Sequence, residues 1–477
     1  MSKNIVIIGA GPSGLAAAYE VTSEGQKATV LEASGQVGGL ARTMAFDGCL
    51  FDVGPHRFFT GNQEVIKLFD DVVAEDTLHV KRLTRIYYKG KYFNYPLSPV
   101  NALLGMGIFN SFATLGSYAK ARLRHRLSPF EPRNFEEWIT NQFGERLYKT
   151  FFKTYTEKVW GIACTEISSQ WAAQRIKSLN LIQAILNALF GARKKVIKTL
   201  VDEFVFPRLG AGQLYEKMAD VIEKRGGTIA MNSPAQKIIH KDGKVSAIIT
   251  DDGEEKSIDG DYFLGSAPLT QLLEMMDPPP PAEVMEASRS LRYRDHIGVQ
   301  LKMRGVPFPD NWIYIHSPDI RMARIANYKN FSEFMADGDD ISPVTVEYFT
   351  FKGDDIWSMS DDELVKFAVD EMVAMGTTQA DQFISGFVVR SEKAYPVIDQ
   401  DSEAKVDIIR AWISQFENFL PIGRSGMFKY NNQDHAIATG LLAARTALGT
   451  GDYDPWNVNI DAEYHEARAA LSETDEA

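Results

Sequence analysis

The chain has 477 residues, of which 45% are hydrophobic and 24% are charged, a composition typical of globular proteins and not of disordered chains. Its 51 Lys and Arg against 63 Asp and Glu give a formal net charge of −12, which argues against nucleic acid as a partner. The length predicts about three domains, or two if one of them is discontinuous, with a core that needs no disulfide.

Cysteine usage and the start of the chain bear on its environment. The two cysteines, Cys49 and Cys164, lack metal-ligand spacing and fit a reducing compartment, so we expect no metal site. The first ten residues run directly into an apolar stretch, without the basic and apolar regions of a secretory signal. A cytoplasmic location is therefore expected.

The first predicted elements form a strand-helix-strand unit. An apolar strand over 4–8 is followed by a glycine-rich turn, a helix over 15–24 and a second strand over 27–31. This pattern is typical of the first half of a dinucleotide-binding fold.

The turn of this unit carries a G-x-G-x-x-G motif, made of Gly9, Gly11 and Gly14 with Ser13 inside it. The first glycine permits a tight turn, the second lets the backbone approach a pyrophosphate, and the third allows close helix packing. The N-terminus of the helix attracts the anion. Glu32 follows 18 residues after Gly14, where an acid accepts hydrogen bonds from ribose hydroxyls, so the motif predicts dinucleotide binding.

A second glycine-rich segment follows, with Gly38, Gly39, Leu40 and Arg42. Its glycines can bring backbone close to a ligand, and the arginine can pair with a phosphate. A second loop on the phosphate side favours the longer FAD over NAD.

A long uncharged segment over 92–119 is followed by a basic one, from Lys120 to Arg126. Prolines, glycines and asparagines make it less apolar than a membrane span requires, so we predict a buried loop and helix. The stretch 179–190 with the basic residues after it could lie on a membrane surface. We favour a core-facing helix with a solvated end there over contact with a membrane surface.

Further along, the pattern predicts a helical insertion over about 162–206 and strands after Gly210, including a hairpin turn at 251–253. The stretches 296–303, 312–316 and 344–351 favour a second sheet. We therefore predict an α/β protein with a discontinuous Rossmann-type FAD-binding domain, a helical insertion and a second mixed or antiparallel sheet. The predicted segments are 1–90, 207–270 and 394–450 for the FAD-binding domain, 91–206 for a mostly helical domain, 271–393 for the second sheet and 451–477 for a tail.

Two polar clusters lie far apart in the chain. A Gly-Pro-His turn formed by Gly54, Pro55 and His56 stands between aromatic residues, and the segment 423–435 gathers Arg, Tyr, Asn, Gln and His before a predicted helix. Burying so many polar groups is unfavourable unless a ligand occupies the site.

These motifs resemble the flavoprotein superfamily that contains UDP-galactopyranose mutase, amine oxidases and protoporphyrinogen oxidase, and within it most resemble the mutase branch. The glycine elements, Glu32, Arg42 and the late 423–440 segment are general to the superfamily. The segments similar to mutase motifs run in the family's order through the chain: 39–56, 157–161, 171–175, 311–314, 324–328, 393–396 and 424–435. Thr156 stands where the mutase pattern has an asparagine, which leaves the nucleotide open.

The resemblance implies a role for each matching residue. His56 would lie against the flavin ring, and Arg324 and Arg424 would clamp the diphosphate of a nucleotide sugar, so these three are the predicted catalytic residues. The cofactor-binding residues it implies are Gly9, Gly11, Ser13, Gly14, Glu32, Gly38, Gly39, Leu40, Arg42, Gly54, Pro55, His56, Ala235, Gly423, Gln433 and Asp434. The substrate-binding residues it implies are Trp160, Arg175, Tyr314, Arg324, Asn327, Tyr395, Arg424 and Tyr430.

The implied function is a nucleotide-sugar mutase that interconverts pyranose and furanose rings through a sugar bound to N5 of reduced FAD, with NADH or NADPH as a candidate reductant. Two alternatives stay open. One is an FAD-dependent oxidoreductase of the amine oxidase or protoporphyrinogen oxidase type, acting on an apolar substrate. The other is a catalytically silent flavoprotein that serves as a partner-binding subunit.

Overall fold

The computed structural model of the chain describes residues 2–97, 99–169, 203–251, 253–451 and 453–458. Predicted features at Arg175, at 176–189 and in the tail after 458 lie outside the described residues. The helices are Pro12–Ser23, Gln63–Val73, Pro99–Met106, Ile108–Leu127, Phe135–Phe143, Glu145–Leu147, Thr154–Trp160, Gly212–Lys224, Leu269–Glu274, Ala282–Arg289, Asp361–Ala374, Ser402–Ile413, Gly423–Gly426 and Gln433–Leu448, with a π-helix over Tyr148–Lys153.

A five-stranded parallel sheet forms the first layer. In spatial order its strands are Phe419–Pro421, Tyr262–Gly265, Asn4–Ile8, Lys27–Leu31 and Thr228–Ala230. The apolar run 5–8 is buried because helices cover the sheet, and the helices Pro12–Ser23, Gly212–Lys224 and Gln433–Leu448 contribute to its main apolar cluster. The predicted strand-helix-strand unit and the α/β class are confirmed.

A seven-stranded mixed sheet forms the second layer. Its strands in spatial order are Phe383–Pro396, Tyr293–Arg304, Ile341–Thr350, Arg324–Asn327, Trp312–Ile315, Thr84–Tyr88 and Lys91–Asn94. Only the pair Trp312–Ile315 and Thr84–Tyr88 is parallel among the described strands of this sheet. The predicted second sheet is confirmed.

Smaller sheets complete the described strands. One has four strands, Glu255–Asp259, Lys244–Asp251, Ala235–Lys241 and Met276–Asp277, and two have two strands, Thr43–Phe46 with Cys49–Asp52 and Thr77–Lys81 with Glu203–Pro207. Strands 244–251 and 255–259 pair antiparallel, as the predicted hairpin requires.

Sheet membership cuts across the predicted domain segments. Thr84–Tyr88 lies within the segment 1–90 and pairs with Trp312–Ile315, and Phe383–Pro396 crosses the boundary predicted at 393/394. Long-range strand pairing leaves no local signal in the sequence, which is why such strands are hard to assign. The division into domains stays a prediction.

The segment over 92–119 departs from its prediction. It forms a strand end and two helices, and the helix Ile108–Leu127 exposes Phe109 and Phe112. The prediction of a buried loop and helix is therefore wrong for this face, because apolar composition does not show which way a side chain points. None of the helices in the described part of the chain has the length and apolar character needed to cross a membrane.

Candidate functional site

A cavity of about 890 Å³ opens where strands of the parallel sheet end. Gly9, Glu32 and Ser266 each follow the last residue of a strand and line this cavity. The carboxyl edge of a parallel sheet is where open α/β folds bind ligands.

The first strand-helix connection makes room for a ligand. Gly9 has φ +96°, and a Cβ there would lie 2.3 Å from Ser266 Oγ, whose hydroxyl donates to the Ile8 carbonyl at 2.7 Å. A Cβ at Gly14 would lie 1.9 Å from the Gly9 carbonyl oxygen, whereas one at Gly11 would meet no atom within 4 Å. Gly9 and Gly14 are thus required by the fold, while Gly11 leaves open space.

The helix Pro12–Ser23 starts at this open space. Gly11 is its N-cap residue and provides no side-chain hydrogen bond, and Pro12 occupies the first turn. The first N–H groups of a helix lack intrahelical partners and carry partial positive charge. This end of the helix is suited to hold a phosphate.

Glu32 and the second glycine segment complete this part of the wall, which we call the glycine side (Gly9, Gly11, Glu32, Gly39 and Leu40). Glu32 accepts from the backbone N–H groups of Ala10 at 2.7 Å and Ser34 at 2.8 Å, and its oxygens keep lone pairs for further donors. Gly38 has φ +98°, the left-handed backbone that glycine adopts readily.

Arg42 stabilises its own loop by a hydrogen bond and does not line the cavity. Its Nη1 donates to the Gly39 carbonyl at 2.8 Å. Burial lowers the pKa of Arg42, and the nearby charge of Glu32 opposes this shift.

His56 lines the cavity from the Gly-Pro-His turn. Its backbone carbonyl accepts from Gln433 Nε2 at 3.3 Å, and its buried Nδ1 has no hydrogen-bond partner among the residues that the structure describes. Burial first, and then the positive charges of Arg424 and Arg324, lower the pKa of His56 to about 3. The ring is therefore neutral at physiological pH, and it lies in the field of both arginines.

Arg324 is held by a buried carboxylate. Its Nη2 donates to Glu347 Oε1 at 2.7 Å, and its Nε donates to Oε2. His296 Nε2 lies 3.0 Å from the same Oε1. Burial would raise the pKa of Glu347, but the charge and hydrogen bonds of Arg324, together with His296, lower it to about 2, so Glu347 is an anion that neutralises Arg324.

Arg424 has different neighbours. Its Nε donates to the Asn431 carbonyl at 2.7 Å, and its guanidinium carbon lies 4.7 Å from the Tyr395 ring centroid and 5.2 Å from that of Tyr430. Within the described part of the chain no carboxylate forms an ion pair with it. Arg424 therefore brings to the cavity wall a positive charge that no described carboxylate neutralises in an ion pair.

Aromatic rings surround the two arginines. Tyr430 and Tyr314 line the cavity. Behind them, Tyr395 stacks on Tyr430 with centroids 5.8 Å apart, Trp160 meets Tyr430 edge-on at 5.4 Å, and Tyr155 meets Tyr314 edge-on at 5.5 Å. Together with His56, Arg324 and Arg424, the lining residues Tyr314 and Tyr430 form what we call the arginine side of the wall.

The cavity collects most of the residues that the sequence singled out. Those lining it are Gly9, Gly11, Ser13, Glu32, Gly39, Leu40, Pro55, His56, Ala235, Tyr314, Arg324, Arg424, Tyr430, Gln433 and Asp434. Those that do not line it are Gly14, Gly38, Arg42, Gly54, Trp160, Asn327, Tyr395 and Gly423. The described residues contain no cluster of His, Cys, Asp or Glu that could hold a metal ion.

Gly54 and Asn327, which do not line the cavity, have structural roles. A Cβ at Gly54 would lie 2.7 Å from Glu347 Oε1, so Gly54 packs against the ion pair. Asn327 is fully buried, and its side chain accepts from the Lys329 N–H and donates to the Phe308 carbonyl. The structure does not bring Asn327 to the cavity.

The sequence reasoning missed several residues of the wall. They are Glu347 and His296 behind Arg324, Tyr155 behind Tyr314, and the lining residues Trp312, Ser266 and Gln271. For Glu347 a signal existed, since it is the one acidic residue in the strand Ile341–Thr350, and a buried acid needs a partner.

A family comparison decides the class of the protein. The model of the flavin containing amine oxidoreductase family matches residues 12–397. The chain belongs to this family. Membership implies a flavin cofactor, and the resemblance predicted from the motifs is confirmed.

Curated relatives come from several branches. A probable UDP-galactopyranose mutase from Klebsiella pneumoniae is 27% identical over 224 residues, covering 46% of this chain and 53% of that protein. A 15-cis-phytoene desaturase from Solanum lycopersicum is 24% identical over 286 residues, covering 56% and 46%. Protoporphyrinogen oxidase 2 from Arabidopsis thaliana is 43% identical over 70 residues, covering 15% and 14%. The chain thus spans about half or less of each relative's length.

Solved structures share the fold. The crystal structure of a reduced UDP-galactopyranose mutase matches with a TM-score of 0.83 at 22% identity, covering 96% of this chain and 99% of that chain. A putative protoporphyrinogen oxidase from Exiguobacterium matches with a TM-score of 0.70 at 17% identity, covering 92% and 98%. The predicted fold is confirmed.

Proposed function

We propose that this flavoprotein is an FAD-dependent mutase that interconverts the pyranose and furanose forms of a nucleotide sugar. The observation that carries the proposal is that Arg324 and Arg424 line the same cavity as the glycine side. One cavity thus offers places for two diphosphates, one of the cofactor and one of the substrate. The similarity to mutases in sequence and fold supports this proposal.

The glycine side fits the dinucleotide part of FAD. The open space at Gly11 and the uncapped helix end would receive the pyrophosphate, and Glu32 would accept from ribose hydroxyls. Asp434 lines the cavity with both carboxylate oxygens lacking a hydrogen-bond partner among the described residues, and it would accept from a donor of the bound group. When bound and reduced, FAD would supply the nucleophile for the anomeric carbon.

The arginine side fits the substrate diphosphate. Arg424 would bind it with a guanidinium fork that forms no ion pair within the described part of the chain, and the hydroxyls of Tyr314 and Tyr430 would donate to the diphosphate oxygens. Arg324 would donate from the nitrogen atoms that Glu347 leaves available. Holding the leaving diphosphate fixes the anomeric carbon in place, and no side-chain nucleophile is required.

The test is an isomerisation assay under anaerobic conditions. The protein is reduced with dithionite, NADH or NADPH, incubated with a panel of nucleotide sugars, and the products are separated by chromatography. We expect a furanose product with at least one sugar, loss of it with Arg424→Ala, and partial activity with Arg424→Lys, which keeps the charge but not the fork. Absence of isomer over the whole panel with reduced, flavin-loaded protein would contradict the proposal.

A second candidate is an FAD-dependent oxidoreductase acting on an apolar substrate. The observation in its favour is that Glu347 neutralises Arg324 and that Phe58, Phe59 and Trp312 give the cavity wall an aromatic part. Relatives named as desaturase and oxidase belong to this class. It predicts substrate-dependent flavin bleaching, oxygen uptake where oxygen is the acceptor, and little effect of Arg424→Ala.

A further inference from the structure

The helix Ile108–Leu127 has two distinct faces. Thr114 and Tyr118 are buried, and Tyr118 belongs to an apolar cluster with residues of the neighbouring helix Phe135–Phe143. This inner face attaches the helix to the protein. The outer face carries several large apolar side chains, which are rarely grouped on the solvent-exposed surface of a soluble protein.

Large apolar side chains project from the outer face. Phe109 is 91% exposed, Phe112 71%, Leu123 58% and Leu127 76%. At about 100° per residue, these four lie within an arc of roughly 60°, centred approximately opposite Thr114 and Tyr118. Exposed Gly116 and Ala119 lie in or beside the same arc, so the helix presents one continuous strip. We call these six residues the apolar stripe.

Cations flank the C-terminal half of the apolar stripe on both sides. By the same helical geometry, Lys120 and Arg124 lie along one edge, and Arg122 and Arg126 along the other. All four are exposed, and among the described residues none of them forms an ion pair. The helix holds four Lys and Arg and no Asp or Glu, although the whole chain has a net charge of −12.

We propose that this helix docks the protein on the surface of a membrane that contains anionic phospholipid, lying in the plane of the interface with the apolar stripe inserted. An apolar strip between rows of cations matches acyl chains beneath negative headgroups. The helix lies on the membrane and does not cross it, since it falls short of a spanning helix. The proposal is independent of the reaction proposed for the cavity.

Charge favours this occupant over a second copy of the chain. A twofold contact between two such helices would bury the stripes but bring the cations of both copies together with no acid on either helix to offset them. Anionic lipid offsets every one of these charges.

The test is vesicle flotation with the full-length, flavin-loaded protein. Vesicles of phosphatidylcholine alone are compared with vesicles that also contain phosphatidylglycerol, at low and high salt. We expect binding to the anionic vesicles that is at least tenfold stronger than to the neutral ones and that falls at high salt. Equal binding to both vesicle types, or no binding to either, would overturn the proposal.

Paired variants separate the two contributions. Arg122→Gln with Arg126→Gln is expected to weaken binding about 25-fold, at about fivefold per cation, whereas Lys224→Gln with Lys241→Gln, on exposed lysines elsewhere, should leave it unchanged. Phe109→Ser with Phe112→Ser should weaken vesicle binding more than tenfold. Val306→Ser replaces an exposed apolar residue elsewhere on the protein and serves as the control for this pair, so it should leave vesicle binding unchanged.

Two readouts accompany the variants. Bound flavin and thermal unfolding should match wild type in each, because the substituted side chains are exposed. Equal losses in the control variants would overturn the proposal. So would a dimer in sedimentation velocity that Phe109→Ser with Phe112→Ser dissociates, with no vesicle binding, since the face would then be an interface between copies.

Discussion

The glycine side and the arginine side of the cavity wall are built by different physical means. The glycine side takes its shape from close backbone approaches at Gly9 and, in the helix behind it, at Gly14, and its residues come from one short stretch of chain. On the arginine side, guanidinium groups from distant segments are held by a buried carboxylate and by rings. Steric fit responds to substitution abruptly, whereas electrostatic pairing responds by degrees.

The two arginines also differ from each other. Arg324 has its charge matched by Glu347, whereas Arg424 packs against Tyr395 and Tyr430 and forms no ion pair with an acid among the described residues. Arg324 therefore contributes to the stability of the sheet, whereas Arg424 is available to bind an anionic ligand. Substitutions can separate these two roles.

The largest effect is expected from Gly14→Ala, in the helix that begins at the glycine side. The new Cβ would lie 1.9 Å from the Gly9 carbonyl oxygen, a backbone atom that cannot move away, so we expect loss of folded flavoprotein. Gly11→Ala is the matched variant, because its Cβ meets no atom within 4 Å. It should fold with a normal unfolding temperature and bind flavin weakly. Flavin absorbance and circular dichroism measure both, and a folded, flavin-free Gly14→Ala would contradict the steric argument.

The next effect separates the arginines. Arg424→Ala should weaken binding of a nucleoside diphosphate sugar by more than 100-fold, as expected when a charged hydrogen-bonding group is removed, and should change the free energy of unfolding little. Arg324→Ala should lower the free energy of unfolding by about 3–5 kcal/mol, because Glu347 is left as a buried, unpaired charge. Calorimetric titration and urea unfolding test the pair. Equal stability losses in the two variants would show that the arginines do not differ in this way.

A smaller effect is expected from Glu347→Gln. The amide still offers an oxygen to Arg324, so we expect a loss of about 2 kcal/mol in the free energy of unfolding, less than for Arg324→Ala. Arg324 then adds its charge to that of Arg424, and affinity for inorganic pyrophosphate should rise several-fold. The shift in unfolding temperature on adding pyrophosphate, compared with wild type, measures this. An unchanged or smaller shift would show that Arg324 does not face the anion.

The sequence was a good guide to the glycine side because its parts are contiguous. Gly9, Gly14 and Glu32 belong to one strand-helix-strand unit, whose hydrophobic pattern and turn chemistry are local. Its strands Asn4–Ile8 and Lys27–Leu31 follow from this local pattern.

The arginine side depends on strand register, which the sequence does not show. Arg324 and Glu347 are direct neighbours on adjacent antiparallel strands, 23 positions apart in the chain. A slip by one residue would send Glu347 to the other face of the sheet. The motif from Arg324 to Tyr328 therefore identified the arginine but not the glutamate that pairs with it.

Asn327 shows what strand geometry could have added. Residues three apart in a strand lie on opposite faces, so Arg324 and Asn327 in the strand Arg324–Asn327 do not face one cavity. Phe109 and Phe112 show where composition misleads, because it predicted burial for side chains that are exposed.

At neutral pH the smallest effect concerns His56, which lies in the field of both arginines. Its pKa in the folded protein, lowered from the ordinary value of 6.5 to about 3, means that between these values the unfolded chain binds more protons than the folded one. The free energy of unfolding should thus rise with pH across this range, by up to about 1.4 kcal/mol per pH unit, and level off above it.

Urea unfolding at a series of pH values checks this slope with two variants. His56→Gln should show a shallower rise than wild type, whereas His79→Gln, on an exposed histidine outside the cavity wall, should keep it. Because Arg424 contributes more than Arg324 to the lowered pKa of His56, Arg424→Ala should also flatten the slope, by less than His56→Gln does. An equal slope in wild type and His56→Gln would mean that the folded protein does not lower the pKa of this ring, and an equal slope in wild type and Arg424→Ala would mean that the charge of Arg424 does not act on it.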